Sequence, residues 1–342
     1  MSPSPRILFF ADAGAVVGGG HVMRCLTLAG AVVRQGGRCA FAAPPAAAAV
    51  LEVFAGPEIE RLPLPDGRPD RLATPIAELT RDWGAQGLVI DHFGFSRGEE
   101  AVVRAVVRRL LALDDLKREH TCDLVLDSNL DRTAADYPGV GSLTGPGFAL
   151  VRPEFAALRP AALDRRKAGG PVRRTLVALG LTDVGGITGR VVQAILPALG
   201  DETLDIVLGG RAPSLADLRS LAARDGRLTL HIDSRDMARL TAEADLAIGA
   251  GGSSVWERCC LGLPSLTLVL ADNQKGAARA LEDRGATLRL DVAEADVDAR
   301  LAEAYRKLVG DTPRRQAMVE AASAICDGEG ADRVAERLLA ML

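Results

Sequence analysis

Residues 244–274 read ADLAIGAGGSSVWERCCLGLPSLTLVLADNQ, and the fold of the chain turns on them. An apolar run ending at Ile248 fits a strand. Gly249, Gly251 and Gly252 then leave the backbone bare, VWERCCLGL has helical spacing, and SLTLVL returns to a strand. Strand, glycine-rich loop, helix and strand in that order predict a parallel α/β sheet covered on both faces. Working outward, the same rotation fills the first half of the chain: RILFFADA and RCAFAAP read as strands, HVMRCLTLAGAVVRQGG and AAAAVLEVFAG as helices. GAQGLVIDHFG and CDLVLDSNL then read as strands running into loops, with EEAVVRAVVRRLLALDD between them as a helix. After Leu150 the pattern breaks into VRPEFAALRPAALDRRKAGGPVRR, a mixture of prolines, charges and a Gly-Gly pair that reads as a linker. It restarts at TLVALGLTDVGG. The expectation is two tandem Rossmann-like, doubly wound parallel-sheet domains facing a cleft, over residues 1–150 and 173–342 with a linker at 151–172. The length agrees, since single cores stop growing near about 250–300 residues.

The 342 residues carry a net charge of −4 with both signs interspersed, which leaves no basic footprint for nucleic acid. Asp12 interrupts the leading apolar segment after five residues, too short for a secretion signal, and no apolar run approaches the roughly 18 residues of a membrane span. Six cysteines without a CxxC pair read as reduced thiols of a cytoplasmic protein. No metal-ligand spacing and no cofactor motif is visible, and the absence of a dimerising stripe points to a monomer.

Ligands of open α/β sheets sit at the carboxyl ends of the strands, so the loops there carry the candidates. In Gly251, Gly252, Ser253 and Ser254 the chain offers a bare loop and capping residues at a helix start, where exposed N–H groups suit a phosphate. Glu257, one turn on, could accept hydrogen bonds from ribose hydroxyls, or could serve only as the acid of a capping box. GGGHVMRC, residues 18–25, is the counterpart in the first domain. There Gly19 and Gly20 allow close approach, and His21 at the helix start is expected to stay uncharged and able to take a proton, or else to be a polar cap touching ligand. Arg24 reads as a ligand contact or a solvated helix residue. IDHFG places Asp91 and His92 at another strand end, His92 being either structural or functional. Asp114, Asp115, Asp127 and Asn129 stand at two more, with nothing in their spacing to choose among them. Asp272, Asn273 and Gln274 suit sugar hydroxyls, or cap the following helix. His120 and His231 stand in charged, surface-like surroundings and receive no role.

Taken together, GGGHVMRCLTLA, IDHFG, LDDLKREHTCDLVLDSNL, GPGFALVRPEF and IGAGGSSVWERCCLGLPSLTLVLADNQ resemble the nucleotide-sugar hydrolases of pseudaminic acid biosynthesis. Those enzymes cleave UDP-2,4-diacetamido-2,4,6-trideoxy-β-L-altropyranose to UDP and free sugar, in a route to surface or flagellin glycosylation. The resemblance implies the glycosyltransferase-B architecture, a UDP-binding second domain and a last helix that crosses back to the first. It further implies that the GGSS loop holds diphosphate, Glu257 the ribose, His21 the attacking water, and that Asn273 lies near the sugar. Two departures stand out. Phe93 replaces a family tyrosine, and GLTDV replaces GG(S/T)DP, so that Leu181 and Val184 flank the implied contacts Thr182 and Asp183. UDP is a good leaving group, so one base and a receptive site for the diphosphate suffice, which predicts metal-independent hydrolysis with inversion. A glycosyltransferase of the same architecture and a non-catalytic nucleotide-sugar binder are the rival readings.

Overall fold

The computed structural model describes residues 4–14 and 17–342; Met1–Pro3, within the leading segment weighed above as a secretion signal, lie outside the described residues, as do Ala15 and Val16. The chain forms two compact units, one comprising the residues up to Val151 together with Glu329–Leu342, the other Arg152–Gly328.

The first unit alternates β1 (Arg6–Ala11), α1 (Gly20–Arg34), β2 (Arg38–Ala43), α2 (Pro45–Phe54), β3 (Ile59–Pro63), α3 (Pro69–Asp82), β4 (Gly87–Asp91) and α4 (Arg97–Arg104). Then come β5 (Arg109–Leu113), β6 (Leu124–Asp127) and β7 (Gly141–Thr144). All seven strands are parallel, in the order β3-β2-β1-β4-β5-β6-β7. Successive residues of β1 serve opposite faces, as the two-residue period of a strand requires. Ile7 and Phe9 join Val22, Leu28 and Val32 in one layer, while Leu8 and Phe10 join Ile76 and Val103 in the other.

The second unit holds α5 (Pro153–Lys167), β8 (Arg174–Ala178), α6 (Ile187–Ile195), β9 (Thr203–Leu208), α7 (Leu215–Ala222), β10 (Leu228–Ile232) and α8 (Met237–Glu243). It continues with β11 (Leu246–Ala250), α9 (Ser254–Cys260), β12 (Ser265–Val269), α10 (Lys275–Asp283), β13 (Leu288–Asp291), α11 (Val297–Gly310) and α12 (Thr312–Ser323). Its six parallel strands run β10-β9-β8-β11-β12-β13. The final helix, α13 (Gly330–Ala340), belongs to the first unit, where Ala331, Val334, Ala335 and Leu338 are buried in the layer that holds α1. Arg34 fixes its start by an ion pair to Asp332 at 2.7 Å.

Three stretches differ from the expectation. RRLLALDD is no helix: α4 stops at Arg104 and residues 109–113 form β5. A Leu/Ala run satisfies either period, and here its pairing to β4 and β6 (Leu88 with Leu110, Leu111 with Leu124) decides. The 151–172 stretch, read as a linker, carries α5, with Pro153 in its first turn and Arg165, Arg166 and Lys167 in its last, where cations suit the carbonyl end. Its charges are used in packing: buried Arg166 donates to the carbonyls of Thr241, Ala242, Ala244 and Leu261. Residues 59–82, with no assignment from the sequence, supply β3 and α3.

In each sheet the winding reverses once, between β1 and β4 and between β8 and β11. Ligands of such sheets collect outside the carboxyl ends at that reversal. The His21 and GGSS stretches follow β1 and β11, one at each reversal.

Candidate functional site

In the first unit β1 and β4 are in register with Ala11 opposite Asp91, which brings the end of β4 beside the loop that enters α1. Gly14 and Gly18 exchange two backbone hydrogen bonds (2.8 and 3.2 Å), and Gly18 takes φ +80°, a conformation glycine adopts without strain. Gly19 and Gly20 then start the helix, and a Cβ on Gly20 would meet nothing within 4 Å. His21, in the first turn, is buried, and its Nδ1 lies 2.5 Å from Asp91 Oδ1. Asp91 is fully buried and accepts from Arg24 Nε at 2.5 Å and Nη2 at 2.6 Å. Burial alone would raise its pKa, but Arg24 and then His21 outweigh that and hold the carboxyl well below its ordinary range. An ionised Asp91 places the imidazole proton on Nδ1, which leaves Nε2 as the nitrogen able to accept one. Phe93 meets the imidazole edge to face, ring centres 4.7 Å apart.

Two residues left above with alternative readings, Arg24 as a ligand contact or a solvated helix residue and His92 as structural or functional, make protein contacts here. Arg24 bridges Asp91 and Asp115, with Nη1 2.9 Å from Asp115 Oδ2, and so orients the partner of His21. His92 stacks on Phe10, accepts from the Gly94 N–H through Nδ1 at 3.0 Å, and faces Asp12 across 3.6 Å through Nε2, so both its nitrogens are turned to protein. Burial, ahead of the Asp12 charge, lowers its pKa.

The strand ends beyond β4 form a second polar cluster. Tyr137 donates between Asp114 and Asp127, and Arg118 binds Asp114 while its Nη1 reaches the carbonyls of His92, Phe93 and Phe95. The loop bearing Phe93 is thereby fixed from the loop after β5. His120, expected at the surface, is buried between Glu100 (Nδ1 to Oε1, 2.7 Å) and Asp114 (3.4 Å). Burial would lower its pKa, but Asp114 and Glu100 prevail and raise it to about 9. Because that lies above the roughly 6.5 of an unfolded histidine, the imidazolium stabilises the fold fully below that pH, and its contribution is lost as pH rises through 9. Thermal unfolding is therefore expected to shift downward between about pH 6.5 and 9, and His120→Gln to flatten that dependence. Among the described residues, Glu100, His120 and Cys122 are the one group whose ligand atoms lie close enough for a metal, all within 4.8 Å. The Glu100–His120 pair is already satisfied internally, and burial pushes the Cys122 thiol up to about 12, so the group reads as an ion pair beside a protonated thiol.

In the second unit the GGSS loop connects β11 to α9, a helix of only seven residues. Ser253 is its cap residue but accepts no capping hydrogen bond, and Ser254 Oγ instead accepts from Arg258 at 3.2 Å. Gly251 packs against Gln274, where a Cβ would stand 3.1 Å from that side chain, and Gly252 is half-buried. Gln274 braces the loop after β12 by accepting from the Leu270 N–H, Asp272 pairs with Lys275 at 2.6 Å, and Asn273 is exposed. Glu257 Oε1 accepts from Arg152 Nε and Nη2 at 3.0 and 2.8 Å. In the GLTDV stretch Thr182 is half-buried, but Asp183 is wholly buried and accepts from the N–H groups of Thr188 and Ser214. Asp183, a contact implied by the resemblance, braces two loops here. His231 pairs with Asp205 at 2.6 Å on the edge strand.

Residues 225–338 match the glycosyltransferase family 28 C-terminal domain, a third of the chain. The spore coat polysaccharide biosynthesis protein SpsG of Bacillus subtilis is 29% identical over 192 residues, 56% of this chain and 56% of SpsG, so the chain spans about half the length of that relative. The UDP-2,4-diacetamido-2,4,6-trideoxy-β-L-altropyranose hydrolase of Campylobacter jejuni is 25% identical over 286 residues, 82% of this chain and 97% of the hydrolase. MurG of Acinetobacter baumannii superposes with a TM-score of 0.69 at 15% identity, covering 98% of this chain and 99% of MurG. The fold is that of glycosyltransferase B. No helix among the described residues is long and apolar enough to cross a membrane.

Proposed function

We propose that this protein hydrolyses a UDP-linked 2,4-diacetamido-2,4,6-trideoxyhexose, the β-L-altropyranose being the expected substrate, to UDP and free sugar. The observation that carries the reading is His21 held through Nδ1 by the buried Asp91. His21 Nε2 takes a proton from water, and the hydroxide formed attacks the anomeric carbon as the bond to the UDP oxygen breaks. Attack opposite the leaving group inverts the anomeric centre. The departing diphosphate needs no proton, so a single base is enough. Within the second unit, the Gly251–Ser254 loop receives the diphosphate, Glu257 the ribose, and Thr182 and Asn273 stand as further contacts. The Campylobacter relative supports this substrate, and with it a place in pseudaminic acid biosynthesis for surface or flagellin glycosylation. The enzyme would work as a cytoplasmic monomer without metal.

Incubation of the purified protein with a panel of UDP-sugars, followed by NMR at the anomeric proton, tests the reading. UDP release with the inverted anomer appearing first is expected; release only on addition of a sugar acceptor would select glycosyl transfer, the reading that the family 28 match favours. Glu257→Ala is expected to weaken UDP binding about tenfold, the worth of a charged hydrogen bond, and calorimetry reads it. Unchanged affinity would remove Glu257 from the ribose role, leaving it as the partner of Arg152.

A further inference from the structure

Arg258 lies beneath the glycine loop of the second unit with only 5% of its surface exposed. Its Nη1 donates to Ser254 Oγ at 3.2 Å, and its Nη2 to the Ala250 carbonyl at 2.9 Å and Thr267 Oγ1 at 3.3 Å. Nε has no partner among the described residues. All three acceptors are neutral; the adjacent carboxylate, Glu257, favours the cation only through space and accepts its hydrogen bonds from Arg152. Gly249 makes room for this cation, because a Cβ there would overlap Nη1. The guanidinium also borders a narrow crevice lined by Gly249, Ser254, Glu257, Met237 and Thr241.

The location is costly. A guanidinium removed from water without a hydrogen-bonded counter-charge loses solvation that neutral acceptors only partly replace. Buried Arg166 has a different setting, since three of its four carbonyls gather around the C-terminal end of α8 and the fourth, Leu261, lies at the C-terminal end of α9, both places where a cation is welcome. Arg258 instead reaches back to the N-terminal end of its own helix, the end that repels a cation and attracts an anion. Burial pulls its pKa down to about 10, which leaves it charged at neutral pH.

We infer that Arg258 is the buried counter-charge of the nucleoside diphosphate carried by the Gly251–Ser254 loop, a positioning residue that acts through the field and through Ser254 without touching the ligand. The inference rests on the reading of this loop as the diphosphate site. The cation destabilises the empty loop and is compensated when the anion docks.

Calorimetry with UDP and with uridine, together with thermal unfolding of the unliganded protein, tests this on Arg258→Gln, Arg258→Met and Arg258→Lys. Both neutral variants are expected to bind UDP about 10- to 100-fold more weakly, from one unit charge acting across the loop at an intermediate dielectric. Uridine, which lacks phosphate, is expected to bind them as it binds wild type. The unliganded neutral variants should melt no lower than wild type, and Arg258→Lys should keep most of the UDP affinity. Equal UDP affinity in the neutral variants, an equal loss for uridine, or a lysine variant as weak as glutamine overturns the inference. Failure of both neutral variants to fold overturns it too, because the charge would then be needed by the fold itself. Wild type that binds no UDP overturns the diphosphate reading first, an outcome distinct from all of these.

Discussion

Turnover of the UDP-sugar by His21→Asn is expected to fall about 10²–10⁴-fold, the usual worth of a positioned general base, with UDP affinity unchanged. Asparagine can still hydrogen-bond Asp91 and keeps α1 polar at its start, but it cannot take a proton near neutral pH. UDP affinity is a property of the Gly251–Ser254 loop in the proposed reading, and that loop belongs to the other unit. A pure kcat effect separates a base from a substrate contact, which would raise KM as well. Single-turnover UDP release, measured with calorimetric UDP binding on the same preparation, gives both numbers. Near-normal turnover would remove His21 from the base role, leaving the imidazole as a buried partner of Asp91 and Phe93.

How much of this was legible in the sequence depends on the range of the interaction. The strands and helices around GGGHVMRC and GGSSVWERCC are local in origin, set by glycine and by continuous apolar runs, and a reader of the sequence reaches them. The β5 segment is not local: RLLAL satisfies both periods, and only its neighbours in the sheet settle which is used. Arg24 and Arg152 carry the same limit. One pairs with Asp91 and Asp115, the other with Glu257, over 67, 91 and 105 residues of chain, and no spacing rule reaches that far. His120 was misplaced for a related reason. Its charged neighbours in sequence suggested solvent, whereas in the fold two carboxylates from α4 and the end of β5 enclose it. Asp91 had a usable signal, a carboxylate at the end of an apolar strand, but its alignment with His21 needed the β1–β4 register.

Asp91→Asn is expected to be as damaging to turnover as loss of His21 itself, about 10²–10⁴-fold, and to destabilise the first unit as well. The amide is nearly the same shape, but it can donate to Nδ1 as readily as accept from it. Donation moves the imidazole proton to Nε2 and disables the base. The amide also withdraws the negative charge that two nitrogens of Arg24 share at 2.5 and 2.6 Å. Removing one partner of a buried pair costs about 3–5 kcal/mol; Arg24 keeps Asp115 at 2.9 Å, so the loss should lie toward the lower end. Denaturant unfolding measures that loss, and it separates Asp91→Asn from His21→Asn, which leaves the Arg24 pair intact. The decisive comparison is the double variant. If Asp91 acts by setting the His21 tautomer, His21→Asn/Asp91→Asn turns over no more slowly than either single variant, because residues that act as a unit are not additive. Multiplied losses would mean that Asp91 contributes to the reaction by a route that does not pass through the imidazole.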